Sequence, residues 1–284
     1  MPQIHTSQIS SYQACPRMYY FAYVKKLVPI VESPKLMFGR GVHKGLEIYY
    51  QTRKREDALV AYRKWLAEQD APVEETTSEN AALGEQLLNS YIDYATKQDT
   101  FKTVAVEQQF VVPIWRPDGS PSEYEHVGTV DGVVRNTIYG DLWLLEHKTA
   151  RNFPTEFELQ LNAQVSHYLL AAQQLFDEQV RGVVYNVIRK VNPNRAKTPV
   201  IMRRLITRTP AELRNTMDQM YRVAERISHD EYFDPAPGFH CSWRCTYQQL
   251  CMCMQDGTDY TQLAAQMYRV REDKDLVVGD DDAA

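Results

Sequence analysis

The sequence has no long hydrophobic run and no apolar segment near its start. No stretch of about 18 consecutive apolar residues occurs, which is the length that a membrane-spanning helix needs. The first residues, Met1 to His5, do not lead into the apolar core of a secretory signal peptide. We therefore expect a cytoplasmic protein that has no membrane association.

The sequence also lacks an excess of positive charge. Its 32 basic and 37 acidic residues give a net charge of −5, which argues mildly against a nucleic-acid partner. Residues 272–284 alone hold six acids and one lysine, which leaves residues 1–271 with 31 side chains of each sign. This distribution predicts a neutral body followed by a disordered acidic tail.

One segment departs from this balance. Residues 181–208 hold eight basic residues and no acid. This run favours contact with a phosphate backbone, and two solvated strands with ordinary surface charge are the alternative. The candidate DNA-binding residues in it are Arg189, Lys190, Arg203 and Arg204.

Hydrophobic periodicity predicts a mixed α/β fold. We expect a single domain over residues 1–271, with a helical N-terminal elaboration over 38–100 and a sheet core over 103–208. The predicted strands are 103–115, 124–135, 141–149, 183–189 and 200–207. The predicted helices are 7–24, one that starts near 38 and continues past 60, 79–97, 155–177, 209–228 and 260–271.

Two carboxylates lie on neighbouring predicted strands. If residues 137–140 form the loop of an antiparallel hairpin, Asp131 faces Glu146, with their Cβ atoms about 5 Å apart. Like charges in this position are destabilising, and a bound Mg²⁺ or Mn²⁺ would remove the penalty. Lys148 shares the face of Glu146. An exposed polar strand face with a Glu–Lys surface pair is the alternative, and a one-residue shift of register would separate the carboxylates.

Two helices add candidate site residues. His43 and Glu47 share one helix face beside an apolar stripe, and an imidazole is a good ligand for Mn²⁺. Gln164 and Tyr168 share a face of the helix that follows Lys148. The alternatives are a surface or packed histidine and an ordinary amphipathic helix.

Five cysteines are an odd number, which argues against a fully paired disulfide framework. Four of them, at positions 241, 245, 251 and 253, lie within 13 residues, whereas Cys15 stands alone. Thiolate sites of this kind bind either zinc or an iron–sulfur cluster, so the spacing leaves both open.

These motifs occur in an order that resembles the RecB-type branch of the PD-(D/E)XK nuclease superfamily. The resemblance covers about residues 7–255. It includes the Cys-Pro element at Cys15, which is similar to that of AddB-type exonucleases and CRISPR-associated adaptation nucleases. The matching residues are His43, Asp131, Glu146-x-Lys148 and Gln164-x-x-x-Tyr168.

The resemblance implies a restriction-endonuclease-like fold and a site that binds Mg²⁺ or Mn²⁺. The implied metal ligands are His43, Asp131, Glu146 and the main-chain carbonyl of His147. Lys148 would activate or position the attacking water. Gln164 and Tyr168 would lie close to the site and to the DNA, and Glu107 would be a further acidic site residue.

The resemblance also implies a structural 4Fe-4S cluster in which residues 235–255 close onto the first helix. Its ligands would be Cys15, Cys241, Cys245 and Cys251. The first C-terminal pair is one residue wider than the family's Cys-x-x-Cys, Cys253 is a rival fourth ligand, and zinc is the other possible occupant.

The function implied is that of a metal-dependent deoxyribonuclease, an exonuclease acting on single-stranded DNA or DNA ends. One alternative is a CRISPR-type adaptation nuclease working with integration partners, and another is a non-catalytic cysteine-metal module that binds DNA. No Gly-x-x-x-x-Gly-Lys-Ser/Thr motif occurs, so a helicase or recombination partner would be a separate chain.

Overall fold

The computed structural model describes residues 1–31, 34–69 and 78–271. The predicted acidic tail, residues 272–284, lies outside the described residues. The chain divides into two compact units, which we call the cysteine unit and the sheet unit. The cysteine unit comprises Met1–Glu32, Pro113–Val127 and Met217–Ala284, and the sheet unit comprises Ser33–Val112 and Gly128–Thr216.

Helices and strands alternate along the described chain. The helices are α1 (Thr6–Ala14), α2 (Pro16–Tyr19), α3 (Pro34–Thr52), α4 (Arg55–Ala67), α5 (Ser78–Gln98), α6 (Glu156–Gln160), α7 (Ala163–Leu175), α8 (Pro210–His229), α9 (His240–Trp243), α10 (Gln248–Asp256) and α11 (Thr261–Met267), with a π-helical turn at Tyr20–Val24. The strands are β1 (Gln3–His5), β2 (Leu27–Pro29), β3 (Phe101–Trp115), β4 (Pro121–Asn136), β5 (Leu142–Ala150), β6 (Val180–Arg189), β7 (Ile201–Ile206) and β8 (Tyr268–Val270). None of the described helices is both long enough and apolar enough to cross a membrane.

The sheet unit is built on a mixed sheet. Strand β5 lies between β4, which runs antiparallel to it, and β6, which runs parallel to it, while β7 pairs antiparallel with β6. Strand β3 also pairs with β4. Helices α6 and α7 form the crossover between the parallel strands, as a parallel connection requires. The predicted mixed α/β class is confirmed.

The predicted hairpin register is also confirmed. Gly132 pairs with Leu145 and Val133 with Leu144, which is the register in which Asp131 faces Glu146. Residues 137–139 form the turn, and Gly140 adopts a left-handed conformation with φ 78°. The alternation of side chains along β5 then places residues 146 and 148 on one face and residue 147 on the other.

Helix α3 packs closely against α4 and α5. A Cβ atom on Gly45 would lie 2.7 Å from Cδ1 of Leu88, and one on Gly41 would lie 3.0 Å from the ring of Tyr62. Glycine at these positions therefore permits the short distance between the helices. The buried core on this side includes Val42, Leu46, Tyr62, Leu87 and Leu88.

Two predicted helices are each divided in the structure. The helix expected from residue 38 onward ends at Thr52, because Arg53 adopts a left-handed φ of 57°. The helix expected over 155–177 breaks at Leu161, and the side chain of Asn162 starts α7 by accepting a hydrogen bond from the Val165 N–H at 3.1 Å. The start of α8 is as predicted: Thr209 and Glu212 form a capping box ahead of Pro210.

The cysteine unit contains elements that the sequence patterns did not predict. Strand β1 pairs parallel with the first half of β4, and β2 pairs antiparallel with β8. The helix expected over residues 7–24 is interrupted at Cys15, where the backbone is extended and Pro16 starts a new turn. All three strands are only three residues long, which is too short for a periodic signal.

Candidate active site

The Asp131–Glu146 pair lies on the hairpin formed by β4 and β5. Glu146 is 3% exposed. Burial, followed by the negative charge of Asp131, raises the pKa of Glu146 to about 8, although the positive charge of Lys148 opposes the shift. Two carboxylates held this close are electrostatically unfavourable by themselves, which is expected where a cation is to be bound.

Lys148 contacts Glu146 directly. Its Nζ lies 2.9 Å from Oε1 of Glu146, and the lysine side chain is 19% exposed while that of Glu146 is 4% exposed. The ammonium group therefore reaches from solvent toward a buried carboxylate. Because residues 146 and 148 share a strand face, the backbone of β5 fixes their spacing.

His43 extends from α3 toward the same carboxylates. Its Nδ1 lies 3.7 Å from Oδ1 of Asp131. Its Nε2 is buried, and no hydrogen-bond partner for it occurs among the described residues. A buried nitrogen without a partner costs free energy, and a metal ion would satisfy it. An imidazole beside two carboxylates fits Mg²⁺ or, more closely, Mn²⁺.

The backbone of His147 contributes to the site while its side chain points away from Glu146. The N–H of His147 donates a hydrogen bond to Oδ2 of Asp131 at 2.6 Å. In an extended strand the N–H and C=O of one residue point to the same side, so the carbonyl of His147 also faces the side of Asp131. The imidazole lies 5.3 Å from the ring of Tyr50 and 5.2 Å from that of Tyr91. Burial, followed by the charge of His43, lowers the pKa of His147 well below its ordinary value.

A cavity opens beside these groups. Its lining residues are His43, Leu46, Glu47, Tyr50, Glu107, Asp131 and His147. Glu107 is exposed and has a left-handed φ of 50° within β3, a strained conformation for a non-glycine residue. The sequence motifs do not identify Tyr50 as part of the site. Its position seven residues, or two helical turns, after His43 is a signal that would have placed it on the same face.

Gln164 and Tyr168 contact each other on α7. The amide Nε2 of Gln164 donates to the hydroxyl of Tyr168 at 3.0 Å. The ring of Tyr168 is 3% exposed and packs edge-on against Phe110, with the ring centroids 5.8 Å apart. The predicted shared helix face is therefore present, and it is a buried one.

The four predicted DNA-binding residues do not share one environment. Arg189 bonds Thr198 Oγ1 at 2.6 Å, and Lys190 lies over the ring of Phe38. Arg204 is exposed and bonds Glu156 at 2.8 Å.

Arg203 is directed into the protein. Its side chain is 12% exposed, its Nη1 lies 2.9 Å from Asp99 Oδ1, and its Nε bonds Asn186 Oδ1 at 2.7 Å. The charge of Arg203 is therefore already paired inside the protein, and contact of this residue with DNA stays a prediction. Asp99, which pairs with it, lies far away in the sequence and gave no signal there.

Four cysteine thiols lie near one another in the cysteine unit. Cys15 packs in an apolar cluster together with Cys245 and Cys251. Burial, and then the thiols of Cys15, Cys241 and Cys251, raise the pKa of Cys245. The backbone N–H of Ala236 donates to Sγ of Cys15 at 3.3 Å.

Among the described residues, neither the carboxylates around Asp131 nor the four cysteines form a closed metal site. Across the described ranges, no set of three or more His, Cys, Asp or Glu side chains is arranged to hold a metal ion. At the carboxylates, Glu146 is held by Lys148, and Asp131 is held by the N–H of His147. These contacts satisfy oxygens that a cation would otherwise bind.

The mixed sheet and its flanking helices are those of a known nuclease superfamily. Residues 4–252 match the model of the PD-(D/E)XK nuclease superfamily, and the chain belongs to this superfamily. The mixed sheet with flanking helices agrees with its restriction-endonuclease-like fold. Nucleases of this superfamily typically use divalent metals such as Mg²⁺ or Mn²⁺.

Comparison with one solved structure supports the fold. The chain is similar to "Putative exonuclease" from Eubacterium rectale, with 13% identity and a TM-score of 0.53 over 98% of this chain and 93% of the other. It is less similar to SSO0001, with 18% identity and a TM-score of 0.36 over 78% of this chain and 87% of the other. No curated protein matches the sequence.

Proposed function

We propose that the protein is a metal-dependent DNA exonuclease that hydrolyses phosphodiester bonds in single-stranded DNA or at DNA ends. The observation that carries the proposal is the hairpin register, which continued by one residue puts Asp131 opposite Glu146, together with Lys148 Nζ 2.9 Å from the Glu146 carboxylate. Superfamily membership supports nuclease chemistry, and the resemblance to AddB-type enzymes supports the exonuclease mode.

Mg²⁺ or Mn²⁺ is the proposed cofactor. The residues proposed to hold it are His43, Asp131, Glu146 and the main-chain carbonyl of His147. A divalent cation supplies charge neutralisation at the scissile phosphate and lowers the barrier to attack by water. The buried Nε2 of His43, which has no partner among the described residues, supports this ligand set.

Lys148 is the residue we propose to orient the attacking water. Its ammonium is a compact charge with three donors, so it can contact Glu146 and still offer protons to a water or a phosphate oxygen. The 2.9 Å contact with Glu146 restricts the position of that charge. Glu107, which borders the same cavity, is a further proposed acidic residue of the site.

Contacts with the DNA are proposed for two regions of the sheet unit. Gln164 and Tyr168 would lie beside the bound strand, and their mutual hydrogen bond of 3.0 Å fixes the orientation of the amide. Arg189, Lys190 and Arg204 are the proposed contacts with the phosphate backbone.

For the cysteine unit we propose a structural 4Fe-4S cluster held by Cys15, Cys241, Cys245 and Cys251, with zinc as the alternative occupant. The mutual electrostatic influence of these thiols supports the set. The N–H of Ala236 that donates to Cys15 Sγ would stabilise a thiolate ligand. Such a site would connect the N-terminal helices to the C-terminal segment. A cytoplasmic location is part of the proposal.

The test is digestion of end-labelled linear and covalently closed circular DNA, single- and double-stranded, with Mg²⁺, Mn²⁺ or EDTA. We expect linear DNA to be degraded from its ends only when a divalent cation is present. Glu146→Gln and Lys148→Ala should each lower the rate at least about 100-fold. The matched controls are Glu178→Gln and Lys64→Ala, which change exposed ion-paired residues far from the site.

Three results would contradict the proposal. Cleavage that is insensitive to EDTA would exclude the metal mechanism. Activity that survives both Glu146→Gln and Lys148→Ala would indicate that another site, or a contaminant, performs the reaction. DNA binding without cleavage under every condition would favour the non-catalytic binding module instead.

A further inference from the structure

A row of polar side chains crosses three strands on the face of the sheet opposite to Glu146 and Lys148. His147 of β5 pairs with Asn186 of β6, and Asn186 pairs with Arg203 of β7. Directly paired residues project from the same face of a sheet, so the three side chains lie side by side. The exposed fraction is 3% for His147 and 0% for Asn186.

An ion pair and two hydrogen bonds connect this row, from Asp99 at its outer end, to the main chain of β5 at Glu146. Arg203 Nη1 lies 2.9 Å from Asp99 Oδ1, and Arg203 Nε donates to Asn186 Oδ1 at 2.7 Å. The amide Nδ2 of Asn186 in turn donates to the main-chain carbonyl of Glu146 at 3.4 Å. At the outer end, Arg53 holds the second oxygen of Asp99 at 2.7 Å.

The direction of these bonds fixes the orientation of the amide. A guanidinium has only donors, so the group that faces Arg203 must be the oxygen of Asn186. The NH₂ group of Asn186 is then left to face β5. Because Asp99 holds Arg203 on its other side, neither the guanidinium nor the amide is free to rotate.

A buried charged network is an expensive way to fill a core. An apolar replacement of similar volume is often at least as stable, because two charges must be desolvated to form the pair. The network ends on the backbone of Glu146, the residue before the one whose N–H holds Asp131. This location indicates a role in the geometry of the site in addition to packing.

We propose that Asn186 and Arg203 are positioning residues, which hold the main chain at Glu146 so that the side chains of Glu146 and Lys148 and the backbone of His147 keep the geometry that binds the cation. The inference rests on the proposed function. Outer residues that orient metal ligands typically change metal affinity or activity by about 10- to 100-fold when they are replaced.

The test uses variants that separate geometry from stability. Asn186→Leu removes all three side-chain hydrogen bonds, to Arg203, to the Glu146 carbonyl and to the Val184 carbonyl, at nearly constant volume. Asn186→Asp keeps the acceptor for Arg203 and loses the donor to the two carbonyls. The double variant Asp99→Leu/Arg203→Met replaces the Asp99–Arg203 pair as a whole, so that neither charge of that pair is left buried alone. It leaves Arg53 without its acidic partner, but the Arg53 side chain is 35% exposed and can be solvated. Leu87→Ala, a fully buried position on α5, is the control for loss of stability alone.

Two readouts are compared, and the kinetic one is measured below the melting temperature of every variant. The first is kcat and KM for single-stranded DNA at saturating Mn²⁺. The second is the rise in melting temperature produced by Mn²⁺ in the absence of DNA, which does not depend on nuclease activity. We expect Asn186→Leu and the double variant to lower kcat at least about 10-fold with KM within about 2-fold, and to need at least about 10-fold more Mn²⁺ for half of the thermal shift.

The expected pattern places Asn186→Asp between the wild type and Asn186→Leu and leaves Leu87→Ala with normal kcat and normal Mn²⁺ dependence. Variants of Asn186 and Arg203 that melt earlier but keep wild-type kcat and Mn²⁺ dependence would overturn the inference. If the wild type cleaves no DNA, the proposed function fails, and the thermal shift still decides the inference. An unchanged Mn²⁺ requirement in Asn186→Leu then contradicts it.

Discussion

The backbone N–H of His147 donates a 2.6 Å hydrogen bond to Oδ2 of Asp131. The backbone of His147 in β5 thus holds the carboxylate of Asp131 in β4. The side chains of its neighbours Glu146 and Lys148 project from the face of the sheet opposite to the imidazole of His147. The imidazole of His147 is enclosed between Tyr50 and Tyr91. Tyr50 and His147 line the same cavity as His43 and Asp131, so the packing of these rings is part of the geometry of the site.

Glu146→Gln should stabilise the protein while it abolishes nuclease activity. Burial and the charge of Asp131 disfavour the ionised form of Glu146 and raise its pKa to about 8. Near neutral pH the folded state must therefore take up a proton that the unfolded state does not bind, and the neutral amide of Gln avoids this cost. In EDTA we expect the free energy of unfolding to rise by about 1 kcal/mol or more, as measured by urea denaturation. With saturating Mn²⁺ the order should reverse, because only the wild type gains stability from the cation.

The exposed carboxylate Glu178, replaced by Gln, is the control for this comparison. A Glu146→Gln protein that is less stable than the wild type in EDTA would show that the Lys148 contact outweighs the repulsion by Asp131. An equal response of both proteins to Mn²⁺ would place the cation elsewhere.

The carboxylate pair illustrates what the sequence could predict. A short loop fixes the register of a hairpin, so the pairing of residues 132 and 145 followed from the position of the turn alone. The inward direction of Arg203 did not follow in this way. It depends on Asp99, which directly follows α5 and lies more than 100 residues earlier, and no local pattern indicates a partner at that separation.

The breaks in the helices were missed for a related reason. Around Arg53 and Asn162 the apolar periodicity continues, and the change of direction comes from one left-handed residue and from one side-chain cap. Both are local choices that tertiary packing decides. The strands β1, β2 and β8 form only through partners distant in the chain. Each is three residues long, which is too short for its sequence to predict a strand.

Cys245→Ser and Cys253→Ser should separate a cluster ligand from a bystander. The thiols of Cys15, Cys241 and Cys251 all raise the pKa of Cys245. We expect Cys245→Ser to lose the brown colour, most of its iron and several degrees of melting temperature, because ligand loss removes metal-dependent folding energy. Cys253→Ser should keep all three. Visible absorbance, iron and zinc content and thermal melting of anaerobically purified protein are the measurements.

Zinc at one equivalent in a colourless wild type would identify the other occupant. A loss of colour in Cys253→Ser with retention in Cys15→Ser would replace Cys15 by Cys253 in the ligand set.

Gly45→Ala should destabilise the packing of α3, although alanine is the better helix former. The added Cβ would lie 2.7 Å from Cδ1 of the fully buried Leu88. We expect a loss of about 1–3 kcal/mol in the free energy of unfolding, which exceeds the gain of about 1 kcal/mol in helix propensity.

The double variant Gly45→Ala/Leu88→Ala should lose at least about 0.5 kcal/mol less than the sum of the single losses, because the new methyl group partly fills the cavity. Strict additivity in urea denaturation would show that the two positions do not interact.

His167 should make the protein less stable in mild acid. Burial lowers the pKa of His167 to about 4, below the value of about 6.5 that the unfolded chain has. Between these two values the unfolded state binds more protons than the folded state, so the stability present near neutral pH is lost as the pH falls through this window. The loss is about 1.4 kcal/mol for each pH unit and about 3 kcal/mol in total.

His167→Leu should reduce the decline in the free energy of unfolding between pH 6.5 and pH 4 by about this amount, as measured by urea denaturation. His147, whose pKa is also lowered by burial, should leave a residual slope of the same sign in the variant. The control is His229→Leu at the exposed end of α8, which should keep the full wild-type decline. Equal declines in the wild type and in His167→Leu would show that His167 is already protonated in the folded protein at pH 5.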